Sequence, residues 1–310
     1  MLSMSAVLTP ARVVPNRRAG ILLMLAAGLC WSSGGIIVRS LALKDVWEVV
    51  FWRSLFMGAF VAVLLLTLRG RVAFERVRAI GWPGMISAAC LAGQIYCFII
   101  ALSLTSTANT FLLMSVSPLI TALVGMAFMR EHLRWFTWVA IGVALAGIGI
   151  MFGSGAGIEA SSRAMLGNLF ALGVPCLYAC QILFARKVRG QGDGAPDLMP
   201  TLLMAGVFAA VPAALLGWPV DAALRDVGLL ALMGCVQLGL GCWLMTLAVP
   251  HLRAAEMGLL ALTETILAPV WVWLGVGESP SASAMSGGAC ILGALAANAW
   301  LSLRAAKADC

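Results

Sequence analysis

The feature that most constrains this chain is a rhythm of apolar blocks, each about twenty residues long, separated by short polar breaks. A helix of that length just crosses the hydrocarbon core of a bilayer, at about 1.5 Å per residue. The blocks fall near residues 19–39, 46–68, 79–103, 107–129, 135–153, 164–187, 197–217, 227–249, 254–277 and 283–303. They are continuously apolar and do not alternate every second residue, which excludes a transmembrane β-barrel. Lipid cannot satisfy backbone N–H and C=O groups, so helices are the only spanning elements left. The expected fold class is all-α and polytopic, with ten transmembrane helices. Only 11% of the residues are charged, against about a quarter in soluble domains.

The formal charge of +7 would suggest a nucleic-acid partner in a soluble protein. Its distribution points to a membrane instead. With the N-terminus placed inside, fifteen of the twenty basic residues fall in cytoplasmic segments, from Arg12, Arg17 and Arg18 to Arg304 and Lys307. Arg39, Lys44, Arg163 and Arg225 fall outside, and Arg53 lies within a span. This is the positive-inside pattern, and it predicts both termini in the cytoplasm. The expected partners are the lipid bilayer and a small-molecule substrate, with no nucleic acid. Residues 1–18 lack the apolar core of a cleavable signal, and the first apolar run is long enough to remain as a span.

Eight of the nine cysteines lie in the spans, where they read as small apolar packing residues. Cys176 and Cys180 share a helix face, but no histidine or carboxylate cluster accompanies them, so no metal site is expected. The two histidines, His132 and His251, lie far apart in loops, and no HExxH, P-loop or GxSxG pattern occurs. Neither an enzymatic activity nor a cofactor is expected.

Shifted on itself by 147 residues, the chain brings scarce residue types into register: Arg39 on Arg186, Trp31 on Tyr178, Tyr96 on Trp243, Glu131 on Glu278 and Gly20 on Gly167. Two sets of five spans follow, and because five is odd, the second set enters the membrane from the opposite side. Inverted repeats of this kind characterise secondary transporters, which hold substrate near the midplane between the halves. The expected organisation is a cytoplasmic tail at 1–18, a first five-helix repeat at 19–153, a linker at 154–163, a second, inverted repeat at 164–303 and a cytoplasmic tail at 304–310.

These features resemble the drug/metabolite transporter superfamily, in its ten-helix EamA-type branch. The resemblance rests on "GLCWSSGGIIVR", "VVFWRSLF", "QIYCFIIALSLTSTANT", "SPLITALVGMAFMRE" and "TETILAPVWVWLGVGE", in that order, and covers residues 19 to about 303. It implies export of amino acids, drugs or other small metabolites across a bacterial inner membrane. The chain departs from the family pattern in carrying Glu264-Thr265 where Glu-Pro is common, with Pro269 four residues on.

Several residues are candidates for the site. Glu264 stands halfway along its span, where an ionised group costs about 2.5–3.5 kcal/mol to insert. It reads as a substrate-ammonium contact or a coupling site, against the alternative of a protonated or hydrogen-bonded packing residue. Trp31, Tyr96, Tyr178 and Trp243 place rings near mid-depth, either lining a cavity or packing a core. Ser32 sits beside Trp31. Gln94, Asn109, Gln181 and Gln237 supply amides that bind substrate or simply bond across helices. Arg53 either snorkels outward or pairs with a buried acid such as Glu264. Glu131 and Glu278 read as carboxylates that satisfy backbone donors opening the fifth and tenth spans. Arg39 and Arg186 read as snorkelling residues, and Glu256 as a helix-start acid near Arg253. Pro118 and Pro269 are expected to interrupt matching helices. The leading functional reading is a secondary transporter working by alternating access. A lipid-linked flippase, a channel and a membrane-embedded enzyme are the alternatives.

Overall fold

The computed structural model describes residues 16–70, 72–129, 132–153, 162–189, 198–217, 222–252 and 254–308. Among these the chain is helical throughout its ordered elements, with no strand. The helices are α1 (Arg17–Ser32), α2 (Gly34–Ser40), α3 (Val46–Arg69), α4 (Val72–Ala79), α5 (Gly81–Leu104), α6 (Thr107–Met114) and α7 (Ser117–Met129). They continue as α8 (Trp135–Gly153), α9 (Ser162–Arg189), α10 (Leu198–Leu216), α11 (Leu224–Leu232), a π-helix (Met233–Leu240), α12 (Gly241–Ala248), α13 (Ala254–Val276) and α14 (Ala282–Ala308).

Among the described residues, nine stretches are long and apolar enough to cross a membrane: Arg17–Ser40, Val46–Leu68, Gly81–Leu104, Thr107–Phe128, Ser162–Phe184, Leu198–Leu216, Leu224–His251, Glu256–Val276 and Ala282–Ala305. Trp135–Met151 is a shorter apolar helix at the place of the fifth expected span. Large apolar side chains, among them Leu22, Leu66, Leu145, Val211 and Trp273, are exposed all along these helices. Water would not tolerate so extensive an apolar surface, whereas lipid is its natural solvent. The protein is a polytopic membrane protein.

Polar residues begin the helices where the sequence supplies them. The Asn16 side chain accepts from Ala19 N, Asp45 accepts from Trp47 N and Glu48 N, and Ser106 accepts from Asn109 N. Each satisfies a backbone donor that the first helical turn leaves free. "CWSS" separates α1 from α2: Ser32 Oγ donates to Leu29 O and Ser33 Oγ to Cys30 O, three residues back. Such back-bonding tightens and bends a helix. Ser115 and Ser117 do the same ahead of Pro118, and α6 and α7 are separate helices there.

The second half differs from expectation. Pro269 lies inside a continuous α13, as Pro175 does inside α9. One lost backbone bond does not break a long apolar helix when no water is present to compete for the rest. The irregularity there is the π-helix, whose i→i+5 bonding admits one extra residue per turn.

The helix neighbours are well defined: α5 lies along α9, α3 along α10 and α8 along α14. The α1 helix packs against α12 and α13, and α9 against α6 and α7.

Candidate functional site

The interior is built from the helix faces turned away from lipid. Along α13, Leu259, Ile266, Val270 and Trp273 are exposed, while Ala268 and Val272 are fully buried. At about 100° per residue, Glu264 falls some 140° from the exposed stripe, on the inner face. It is half-buried there. Among the described residues, no hydrogen bond or ion pair reaches its carboxylate.

The α1 segment closes on α13 and on the π-helix. A Cβ added at Gly28 would lie 3.7 Å from Glu264 N, in ordinary contact. Trp271 Nε1 donates to Ser32 Oγ at 3.0 Å. Gln237, on the π-helix, donates to Trp31 O at 3.4 Å and accepts from Arg53 Nη2 at 3.1 Å. The Trp31 ring lies so close to Gly241 that a Cβ there would meet its Nε1 at 2.5 Å. The same indole lies beside the Cys242 thiol, which also stands near Arg53, Glu264 and Tyr178. Trp31, Arg53, Tyr178, Gln237, Cys242 and Glu264 therefore share one region.

Arg53 is 3% exposed, with its guanidinium 5.1 Å from the centre of the Phe98 ring. Its Nε and Nη1 are buried without a hydrogen-bond partner. A guanidinium held this way is stabilised by a ring face and one amide, and two of its nitrogens remain uncommitted.

At one end of the bundle a second polar group is fully engaged. Arg39 Nε lies 2.7 Å from Glu278 Oε2, and its Nη2 donates to Thr105 O at 2.8 Å. Glu278 Oε1 accepts from Thr107 N at 2.8 Å, and Thr105 Oγ1 donates to Asn168 Oδ1 at 2.8 Å.

Residues 18–153 match the EamA-like transporter family. A pseudopaline exporter, CntI, of Pseudomonas aeruginosa is 27% identical over 281 residues, covering 89% of this chain and 94% of that protein. An uncharacterised transporter of Vibrio cholerae is 29% identical over 145 residues. That match takes in 45% of this chain and 48% of the relative, so the aligned part spans about half of its length. The chain resembles the drug/metabolite transporter superfamily, with the EamA-like match covering its first half. It is a transporter and not an enzyme. The fold agrees: a crystal structure superposes with a TM-score of 0.64 over 93% of this chain and 99% of that one, at 17% identity.

Within this transporter, the sequence-derived candidates separate into groups. Trp31, Ser32, Tyr178 and Glu264 lie in or directly beside the central region described above. Gln94 and Gln181 bond to each other, Nε2 to Oε1 at 2.7 Å, across α5 and α9. Tyr96 turns elsewhere, donating to Ala209 O at 2.6 Å and meeting Trp47 edge-on. Asn109 sits with Thr105 and Asn168, in the Arg39 group. Trp243 packs against the larger apolar core.

Four expectations are corrected. Arg53 neither snorkels nor pairs with Glu264, because Gln237 and Phe98 hold it inside. Arg39 is tied to Glu278 and the α5–α6 connection, so it does not snorkel freely. Glu278 accepts the backbone donor that opens α6, while Ser281 serves α14 by accepting from Ala284 N. Glu256 is more than a helix-start acid, because it pairs with Arg17 at 2.8 Å. Glu131 and the Arg186 side chain lie outside the described residues.

Phe98, Cys242 and Trp271 escaped the sequence reading because apolar and aromatic letters are too common in spans to stand out. Glu48 escaped because it follows the Asp45 cap and reads as an ordinary first-turn acid, yet it is buried with Oε1 unpartnered.

Proposed function

We propose that this protein is a secondary transporter that moves small amphipathic organic solutes, such as amino acids, drugs or related metabolites, out of a bacterial cell through the inner membrane by alternating access. The observation that carries the reading is the unpartnered Glu264 carboxylate on the inner face of α13, near the Cys242 thiol that Trp31 and Tyr178 also approach. An intramembrane ionisable group without a structural partner is a functional group by default. Trp31, Ser32, Tyr178 and Glu264 contact the solute in this reading. Gln94, Tyr96, Asn109, Gln181 and Trp243 shape the surrounding helices, and Glu264 is the coupling candidate.

The proposed architecture is ten spans in two inverted repeats, 19–153 and 164–303, with both termini inside. Trp135–Met151 is the fifth span, short enough for its ends to lie at the headgroups. The helix contacts support this arrangement, because a shift by 147 residues carries them onto one another. The α1–α12 contact becomes α9–α5, and α1–α13 becomes α9–α7. A Cβ on Gly20 would meet Leu252 Cγ at 2.8 Å, and one on its counterpart Gly167 would meet Thr105 Cβ at 2.9 Å. Leu252 and Thr105 are themselves counterparts at the same offset. Outward direction is taken from the Pseudomonas relative, which is named an exporter and aligns over most of both chains.

The test is reconstitution in liposomes with a panel of small metabolites, measuring counterflow. Saturable exchange of at least one organic solute is expected. Exchange of none overturns the reading.

A further inference from the structure

The α8–α14 pair has two unlike ends. Its register follows from close contacts at the crossing. A Cβ added at Gly147 would meet Gly287 O at 2.6 Å and Cys290 Cβ at 3.1 Å, and one added at Gly287 would meet Met151 Cγ at 2.6 Å. Moving forward along α8 therefore moves backward along α14, and the helices are antiparallel. Ala140 and Ala144 share one buried cluster with Ala294 and Leu295, so the packing continues from the crossing toward the start of α8 and the end of α14. Trp135 lies twelve residues before Gly147, and Trp300 thirteen after Gly287. At 1.5 Å per residue both stand about 18–20 Å from the crossing, on the same side of it.

At that end Trp135 is 73% exposed and Trp300 49%. The Arg304 guanidinium lies over the Trp300 ring, 3.6 Å from its centre. Arg304 and Arg134 are both exposed, and neither α8 nor α14 contains an acidic residue. The opposite end, 147–153 beside 282–288, has no charge and no tryptophan. The proposed repeat does not require the asymmetry: at the offset of 147, Arg134 and Trp135 fall on Ser281 and Ala282, and Trp300 falls on Gly153. The apolar stretch Trp135–Met151 is about 25 Å long, against about 30 Å for a hydrocarbon core. A short span draws headgroups toward its ends, so phosphates come within reach of this one.

We propose that the start of α8 and the end of α14 form a binding site for an anionic phospholipid, with Arg304 and Arg134 on the headgroup phosphate and Trp300 and Trp135 at the level of its glycerol backbone. Exposed indoles sit naturally at that depth, and basic side chains beside them attract net negative headgroups. A guanidinium stacked on a ring keeps its N–H edge for other partners, and that edge matches a phosphate through two parallel bonds. A zwitterionic lipid brings its own ammonium to the same phosphate, which weakens the match. With both termini inside, as proposed above, the site faces the inner leaflet.

The experiment uses full-length protein in a neutral detergent, titrated with phosphatidylglycerol, cardiolipin or phosphatidylcholine, with bound lipid counted by native mass spectrometry. The two anionic lipids bind about tenfold or more tighter than phosphatidylcholine. Arg304→Gln and Arg134→Gln each weaken anionic-lipid binding about fivefold and leave phosphatidylcholine unchanged. Arg225→Gln, which removes an exposed charge from α11, changes neither. Arg304→Lys keeps the charge and loses the planar fork, so it falls between wild type and Arg304→Gln. It stands in if Arg304→Gln fails to fold, as judged by thermal unfolding. Excess inorganic phosphate does not displace the lipid.

Equal binding of anionic and zwitterionic lipids overturns the site. So does a loss in Arg225→Gln as large as that in the Arg304 and Arg134 variants. Displacement by inorganic phosphate overturns the lipid assignment. No transported solute enters the measurement, so none of these results touches the transporter reading.

Discussion

Two charged regions of this molecule are organised in opposite ways. In the end cluster, Arg39 and Glu278 answer each other at 2.7 Å, while Arg39 Nη2 donates to Thr105 O and Glu278 Oε1 accepts from Thr107 N. In the central region, Arg53 has one amide partner and Glu264 has none. Arg39 and Glu278 recur at the 147-residue offset, as Arg186 and Glu131, whereas Arg53 and Glu264 do not. Of these four, Arg39 and Glu278, which have counterparts at the offset, pair with each other, and Arg53 and Glu264, which have none, do not. The contrast separates charges that hold helices together from charges that wait for a solute.

The largest effect expected from this contrast is on transport without stability. Glu264→Gln removes a carboxylate that nothing in the protein uses, so thermal unfolding should stay level or rise slightly. Exchange of a transported solute should fall by about thirtyfold or more. A drop in the unfolding temperature would show that Glu264 has a structural partner after all, and would erase the contrast.

Turning the central region into a copy of the end cluster should sharpen it. Gln237→Glu places a carboxylate 3.1 Å or so from Arg53 Nη2, where the amide oxygen now accepts. The new ion pair neutralises Arg53 from within, and breaking it later would leave a buried charge unpaired, at about 3–5 kcal/mol. Unfolding should shift upward while exchange collapses. Unchanged exchange would mean that Arg53 is scaffolding.

The converse change belongs to the end cluster. Arg39→Ala and Glu278→Ala should each lower stability by about 1.5–3 kcal/mol, the range for hydrogen bonds to charged groups. A double-mutant cycle should return a coupling energy between them. Solute preference across the metabolite panel should not move. A changed preference would bring this cluster into the solute path.

Much of this fold was legible in the sequence because a bilayer imposes its thickness on every span. Apolar blocks could be counted, and the expected starts at 46 and 107 coincide with those of α3 and α6. The proposed repeat rests on rare letters, Arg39 and Arg186 above all. Partnership was not. Gln237 is separated from Arg53 by 184 residues, and Trp271 from Ser32 by 239, so no local spacing could announce either bond. The π-helix was hidden because "MGCVQLGL" reads as an ordinary apolar turn. The mid-span position of Glu264 was legible, but its inner face and its lack of a counter-charge are tertiary facts. Pro269 misled because a proline's effect depends on what its neighbours can hold, and α13 holds.

The smallest effect concerns a third pair, which tests whether pairing alone marks a structural charge. Arg17 and Glu256 meet at 2.8 Å, a distance as good as that of Arg39 and Glu278. Their surroundings differ: the Arg17 side chain is 72% exposed, against 26% for Arg39. Water and salt screen the first pair, and its long side chains lose freedom to meet, so its net worth is about 0–1 kcal/mol. Arg17→Gln should therefore shift unfolding little, and what shift there is should vanish at high ionic strength. Arg39→Ala should keep its effect in salt. If Arg17→Gln destabilised as much as Arg39→Ala at every salt concentration, burial would not be what distinguishes the pairs, and the Arg39 cluster would lose its standing as the stronger tie.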